Sequence, residues 1–249
     1  MGLVVKTVLL GDRAVGKTTL RRNFIGRGFQ TNYIFTIGAE FSVKEQKVDY
    51  KTWKFQVWQL AEQPRFQSIR PVHYAGALGA ILIYDVTRPE SLENLEKWVY
   101  DLLKYTGDRK IPLLVLANKV DLRQDAEHCV TTEQGLVFAE QLKKEFEEPA
   151  NIGFLEISVV TGLNVKKIFS LLAWLVMLNQ LARRDSKFSQ CLSPSLFRRS
   201  WIQHIDFETL KIQNNYFCPF CGTFNLLLGR DENTRQKRIF CGRCGNQIC

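Results

Sequence analysis

The chain lacks several features that would assign it to whole classes of protein. No run reaches the ~18 uninterrupted apolar residues that a membrane-spanning helix needs, and no basic-then-apolar leader opens it. A cytosolic chain, at most peripheral to a membrane, is therefore expected. Histidine is scarce, with 3 in 249 residues. His73, His128 and His204 stand alone, as do Cys129 and Cys191, and an isolated ligand type carries no site, so none is given a role. The last four residues, starting at Asn246, are not a C-a-a-X box, so prenylation is not expected despite the terminal Cys249.

What is present suits one domain of ordinary size and a small second one. An apolar fraction of 45% is enough for a real core. Charge is uneven: residues 1–180 carry a net +3 and residues 181–249 a net +6, so most of the total +9 sits in the last quarter. Charge alone does not choose among nucleic acid, anionic lipid and acidic protein as the partner of that quarter.

The apolar run Leu3 to Leu10 leads into Gly11-Asp12-Arg13-Ala14-Val15-Gly16-Lys17-Thr18, the phosphate-loop pattern G-x-x-x-x-G-K-[ST]. Backbone N–H groups that wrap phosphate oxygens need glycine where a Cβ would block approach. Lys17 supplies a point charge to the β and γ phosphates and the Thr18 hydroxyl a place on Mg²⁺. The candidate nucleotide residues run from Gly11 to Thr19, where a helix spanning Thr18 to Ile25 begins at the phosphates.

Short apolar runs alternate with longer amphipathic stretches through residue 180, which predicts an α/β domain with a mainly parallel, six-stranded sheet. Strands are expected at Leu3 to Leu10, Phe41 to Val48, Thr52 to Trp58, Ala80 to Tyr84, Leu113 to Ala117 and Phe154 to Ile157. The second and third, a short polar turn apart, should form an antiparallel edge hairpin. Helices are expected at Thr18 to Ile25, Ser91 to Lys104, Thr132 to Phe146 and Asn164 to Leu181. Function should sit at the carboxyl ends of the strands.

After the fifth strand comes Asn118-Lys119-Val120-Asp121, an N-K-x-D pattern. The Asp121 carboxylate can accept two hydrogen bonds from the N1 and N2 groups of guanine, which adenine does not offer. Lys119 would lie along the base, and Asn118 would tie this loop to the phosphate loop. With these two motifs the chain resembles the Ras superfamily of small GTPases, and a Ras-like P-loop fold follows from the resemblance. Within it the chain is most similar to the Rab family, through Tyr33 to Phe41, Tyr84-Asp85-Val86-Thr87 and Glu90 to Trp98, over about residues 3–181. The resemblance implies GTP or GDP with Mg²⁺ held by Thr18 and Thr36, Phe29 packed edgewise on the guanine, and Ser158-Val159-Val160 as the second guanine loop. Val159 and Val160 replace the family's alanine and lysine, and the Val159 N–H would meet the guanine carbonyl. Effectors or scaffolds would bind the mobile segments around 30–42 and 59–76.

The family's W-D-x-A-G-Q-E-R-F reads here Trp58-Gln59-Leu60-Ala61-Glu62-Gln63-Pro64-Arg65-Phe66. Gln59 replaces the aspartate that holds Mg²⁺ through water, and losing such a partner weakens metal binding by about 10- to 100-fold. Glu62 replaces the glycine whose N–H turns to the γ-phosphate, and Pro64 stiffens the loop. Gln63, the catalytic candidate, keeps the position of the water-orienting glutamine. Arg13 stands where the family has a small residue, either crowding Gln63 or acting as an internal arginine; obstruction is the expectation. Nucleotide should bind, while hydrolysis and switching of the second segment should be poor.

The helix at 164–181 carries two apolar stripes. Val165, Phe169, Leu172 and Val176 face the core; Leu171, Trp174, Leu178 and Leu181 are expected to be covered by the chain's own C-terminal region in preference to forming a membrane or partner surface. The expected organisation is a GTPase domain at 1–181, a linker or docking segment at 182–215, and a ribbon at 216–249. Cys218-x-x-Cys221-Gly222 and Cys241-x-x-Cys244-Gly245, nineteen residues apart, predict a closed Cys₄ site for structural Zn²⁺. Arg230, Arg235, Lys237, Arg238 and Arg243, with Phe224 and Phe240, read as a solvated or protein-binding face in preference to a nucleic-acid surface. An alternative function is a non-switching platform whose ribbon does the recognising. Nothing in the sequence fixes an oligomeric state.

Overall fold

A computed structural model describes residues 3–26, 38–48, 51–61, 63–106, 110–124, 126, 128–145, 152–184, 226–230 and 237–241, with backbone alone at 51, 64, 65, 178, 181–184 and both last segments. Two compact units divide after Met177.

The first unit is an α/β layer structure on a six-stranded sheet. Its strands are β1 (Leu3–Leu10), β2 (Ala39–Val48), β3 (Lys51–Leu60), β4 (Gly79–Asp85), β5 (Leu113–Asn118) and β6 (Ile152–Glu156). Their order across the sheet is β2-β3-β1-β4-β5-β6. Only the β2–β3 pair is antiparallel, with Ala39 opposite Leu60 and Val48 opposite Lys51; the other pairs are parallel. The physical reason is legible in composition. β4 and β5 are buried along their whole length and carry no charged or amide side chain before their last residues, Asp85 and Asn118, as strands covered on both faces must be. β2 exposes Phe41 and Val43 and alternates with buried positions, as an edge strand does.

Helices α1 (Lys17–Phe24), α2 (Arg70–Tyr74), α3 (Pro89–Glu93), α4 (Leu95–Thr106), α5 (Thr132–Glu145) and α6 (Lys167–Arg184) complete the element list, with 3₁₀ turns at Pro64–Ile69 and Val120–Leu122. Thr131 and Gln134 cap α5 reciprocally, each side chain accepting the other's backbone N–H at 3.2 and 2.8 Å. Phe24 of α1, Phe55 of β3 and Phe169 of α6 meet as one aromatic cluster. The expected core stripe of α6 is buried at Phe169, Leu172 and Val176. On the second stripe Trp174 is buried and Leu171 half-buried; the side chains of Leu178 and Leu181 lie outside the described residues.

Two expectations change, and one segment that was assigned no element is helical. The helix expected at 91–104 is divided at Asn94, whose side chain reaches across to Asp12. α6 starts at Lys167 because Asn164 takes a left-handed φ of 57° and donates its amide to the Glu156 carbonyl at 2.8 Å, which makes it a turn residue. The segment 64–74 is helical, with Pro64 and Pro71 in the first turns where a missing N–H costs nothing.

In the second unit, β7 (Leu226–Arg230) pairs antiparallel with β8 (Lys237–Cys241). Cys218, Cys221 and Cys244 lie outside the described residues, and at Cys241 only backbone is described. Among the described residues no group of three or more His, Cys, Asp or Glu could hold a metal, and no helix is long and apolar enough to cross a membrane.

Candidate nucleotide site

The loop between β1 and α1 is shaped by two glycines. Gly11 has φ +139°, and a Cβ there would sit 2.1 Å from the Ile83 carbonyl oxygen. Gly16 has φ +108°, and a Cβ would meet the Asn118 amide at 2.2 Å. Neither position admits another residue. Among the described residues the backbone N–H groups of Ala14, Val15 and Gly16 have no acceptor, which leaves a concave row of donors of the kind that binds anions. Lys17 is buried inside this turn, its Nζ donating to the carbonyls of Gly11 at 2.8 Å and Asp12 at 2.6 Å. Thr19, next on α1, is half-buried.

Asn118 ends β5 and joins three loops. Its Nδ2 donates to the Val15 carbonyl at 2.7 Å, and its Oδ1 accepts the Val159 N–H at 3.1 Å. The sequence expectation that Asn118 ties its loop to the phosphate loop is thus met by the first contact. The second takes up the Val159 N–H that the resemblance assigned to guanine. Val160, exposed and without a hydrogen bond among the described residues, offers the next N–H along. Ser158 is fully buried, and its hydroxyl holds the turn by accepting the Thr161 N–H at 3.0 Å.

Lys119 takes a left-handed φ of 65° and its Nζ lies 2.5 Å from Asp85 Oδ2. Asp85 is buried, and its other oxygen accepts the N–H and hydroxyl of Thr87 at 3.0 and 2.7 Å. Asp121 is exposed and its carboxylate has no partner among the described residues, which leaves both oxygens for a ligand.

Asp12 faces away from the phosphate turn. Its oxygens accept Asn94 Nδ2 at 2.7 Å and the Trp98 indole N–H at 3.0 Å. The Arg70 guanidinium lies 4.4 Å over the Trp98 ring, 3.3 Å from Asp101 Oδ2 and 3.3 Å from the Ala61 carbonyl. Tyr74 donates to the same Asp101 oxygen at 2.9 Å, and burial together with that carboxylate pushes the phenol well above its usual range. A chain of contacts therefore runs from the phosphate loop through α4 to α2.

Gln63 is half-buried at the start of the 3₁₀ turn, and its carbonyl accepts the Phe66 N–H. Arg13 is exposed, and its carbonyl accepts Arg88 Nη2 at 2.7 Å. Phe29, Thr36 and Glu62 lie outside the described residues. Asp12 as a tether, Asp85, Arg21 and Arg70 escaped the sequence reading. Of these only Asp85 carried a signal, since an Asp two residues before a threonine is a turn-forming pair.

The donor row, the buried ammonium of Lys17 and the exposed Asp121 fit a guanosine phosphate. The position beside Thr18 fits a divalent cation poorly. Gln59 Nε2 donates to Thr18 Oγ1 at 2.7 Å, and Gln59 Oε1 accepts Arg21 Nε at 3.2 Å, so an amide and a guanidinium stand where a metal's outer shell needs carboxylate.

The Ras family model matches residues 6–177. Ras-related protein Rab-13 of Rattus norvegicus is 37% identical over 191 residues, 77% of this chain and 89% of the relative. Ras-related protein Rab11B of Nicotiana tabacum is 38% identical over 165 residues, 66% of this chain and 71% of the relative. With this likeness added to the phosphate loop and the Asn118 bridge, the chain belongs to the Ras family, among its Rab-like members.

Proposed function

We propose that the chain is a guanine-nucleotide-binding regulator of the Rab type in which hydrolysis is slow and the second mobile segment responds weakly to the γ-phosphate. Family membership implies GTP or GDP, with Mg²⁺ as the family's metal, and Rab-like proteins act by binding effectors. The observation that carries the reading is Asn118, which ties the phosphate loop and the 158–160 loop to the loop that presents Asp121. Slow turnover follows from Gln59 in place of a carboxylate and from the sequence changes at Glu62, Pro64 and Arg13 around Gln63. In single-turnover hydrolysis on purified protein the rate should fall well below that of a Rab carrying the aspartate and glycine. The pair Gln59→Asp with Glu62→Gly should raise it. An unmodified chain as fast as such a Rab defeats the proposal.

A second reading is favoured by the Arg70 contacts to Asp101, Trp98 and the Ala61 carbonyl, which hold α2 on α4. The first unit would then be a platform, and recognition would fall to a zinc ribbon built by Cys218, Cys221, Cys241 and Cys244. The antiparallel pairing of β7 with β8, which begins after Cys221 and ends on Cys241, supports a ribbon. Zinc content measured by atomic absorption should be one per chain and should vanish with Cys218→Ser and Cys244→Ser together.

A further inference from the structure

Val159 is held at both ends of its backbone. Asn118 Oδ1 accepts its N–H at 3.1 Å, and Asn23 Nδ2 donates to its carbonyl at 2.7 Å. A carbonyl only accepts, so the Asn23 atom that meets it is the amide nitrogen. Val159 is 4% exposed, and Asn23 is the donor its carbonyl has among the described residues. A carbonyl so buried is costly to leave unpaired. Asn23 stands on α1, six residues after Lys17, so one helix meets the phosphate turn at its start and the 158–160 loop at its end. That helix is itself fastened to the β2–β3 hairpin. Arg21 Nε donates to Gln59 Oε1 at 3.2 Å, Nη1 donates to Ser42 at 2.5 Å, and Nη2 pairs with Glu40 at 2.5 Å.

The rest of the loop spends its backbone donors on itself. The N–H of Ser158 goes to the Leu163 carbonyl, that of Thr161 to the Ser158 hydroxyl, that of Gly162 to the Ser158 carbonyl and that of Leu163 to the Thr161 hydroxyl. From 158 to 163 the N–H of Val160 alone has no acceptor among the described residues. A fixed N–H favours a carbonyl oxygen on a purine and rejects an amino group in its place. We infer that Asn23 is a positioning residue for base recognition, which holds the Val159 carbonyl so that the Val160 N–H meets the guanine carbonyl. The inference rests on the nucleotide reading above. It divides the base between two groups, with Asp121 on the N1 and N2 side and this loop on the carbonyl.

The test measures affinities of the full chain by competition against fluorescent GDP. The competitors are GDP, thioguanosine diphosphate, in which sulfur, a weak acceptor, replaces the carbonyl oxygen, and inosine diphosphate, which keeps the carbonyl and lacks the amino group. The wild type should bind GDP about tenfold more tightly than the thio analogue; equal binding means that no donor reads the carbonyl, and it overturns the inference without any variant. In Asn23→Ala, GDP affinity should fall about tenfold and the preference over the thio analogue should shrink to about threefold or less, while the ratio of GDP to inosine diphosphate stays within about threefold of the wild type. Asn23→Gln keeps a donor and should restore the preference over the thio analogue to about fivefold or more. Equal losses for all three nucleotides in Asn23→Ala would make the residue a general support of the fold and overturn the inference. A changed ratio of GDP to inosine diphosphate would place its effect at Asp121 and overturn it as well, as would an Asn23→Gln protein no better than Asn23→Ala. A wild-type chain that holds neither GDP nor inosine diphosphate refutes the nucleotide reading, and this inference with it.

Discussion

Ala14 illustrates how much one backbone angle can hide. Its φ of 61° is the left-handed region, which costs an L-residue about 1–2 kcal/mol and glycine almost nothing. Replacing it with glycine should raise unfolding free energy by about 1 kcal/mol, less than the full strain because glycine also loses more entropy on folding. Urea unfolding of the Ala14→Gly protein measures this directly, and a destabilised variant would show that the angle is not strained. The phosphate-loop pattern leaves that position open to any residue, so the strain was invisible in it. Gly11, Gly16, Lys17 and Asn118 were legible because each sits at a fixed place in a motif of the sequence. Asp85 and Arg21 were not, since their roles depend on contacts to Lys119 and Gln59, 34 and 38 positions away.

Among the elements, α2 has the most unusual tether. Arg70 joins it to the Ala61 carbonyl, to Asp101 and to the face of Trp98, whose indole in turn reaches Asp12. A segment clamped by protein groups has little left for a ligand to change, because a ligand moves an equilibrium only by contacting its two states differently. Arg70→Ala should release it. Hydrogen exchange of the amides at 63–74 is expected to be nearly equal with GDP and with a GTP analogue in the wild type, and to separate by about tenfold or more, ~1.4 kcal/mol of differential contact, in the variant. Strong nucleotide dependence already present in the wild type contradicts the clamp. Sequence periodicity found the long helices and the β2–β3 hairpin but missed 64–74, where two prolines and short helical pieces leave too few residues for a period to register.

At the scale of the molecule, β1 lies between β3 and β4, and the chain leaves β1 into the phosphate loop at the sheet's carboxyl edge, where open parallel sheets place their ligands. This much was legible from alternation and buried apolar runs. What could not be read was how the side chains of β3, α1 and β2 would combine into one polar row, since each lies on a different element. Because the site is assembled from so many elements, a bound nucleotide stabilises the whole first unit. At a hundredfold excess over Kd, GDP should add about 2.7 kcal/mol to unfolding free energy while ADP adds little. Thermal denaturation with each nucleotide checks this, and equal shifts would dispose of guanine selectivity through Asp121.

The Asn118 bridge also bears on how the protein is made. Its partners Val15 and Val159 are separated from it by 103 and 41 residues. A chain emerging from the ribosome therefore exposes its phosphate loop early and then waits through β4, β5, α5 and β6 before the base pocket can close. Pairing over such separations is slow to form. The bridge fastens together the loops that follow β1, β5 and β6, so the base pocket is complete only after the last strand has joined the sheet.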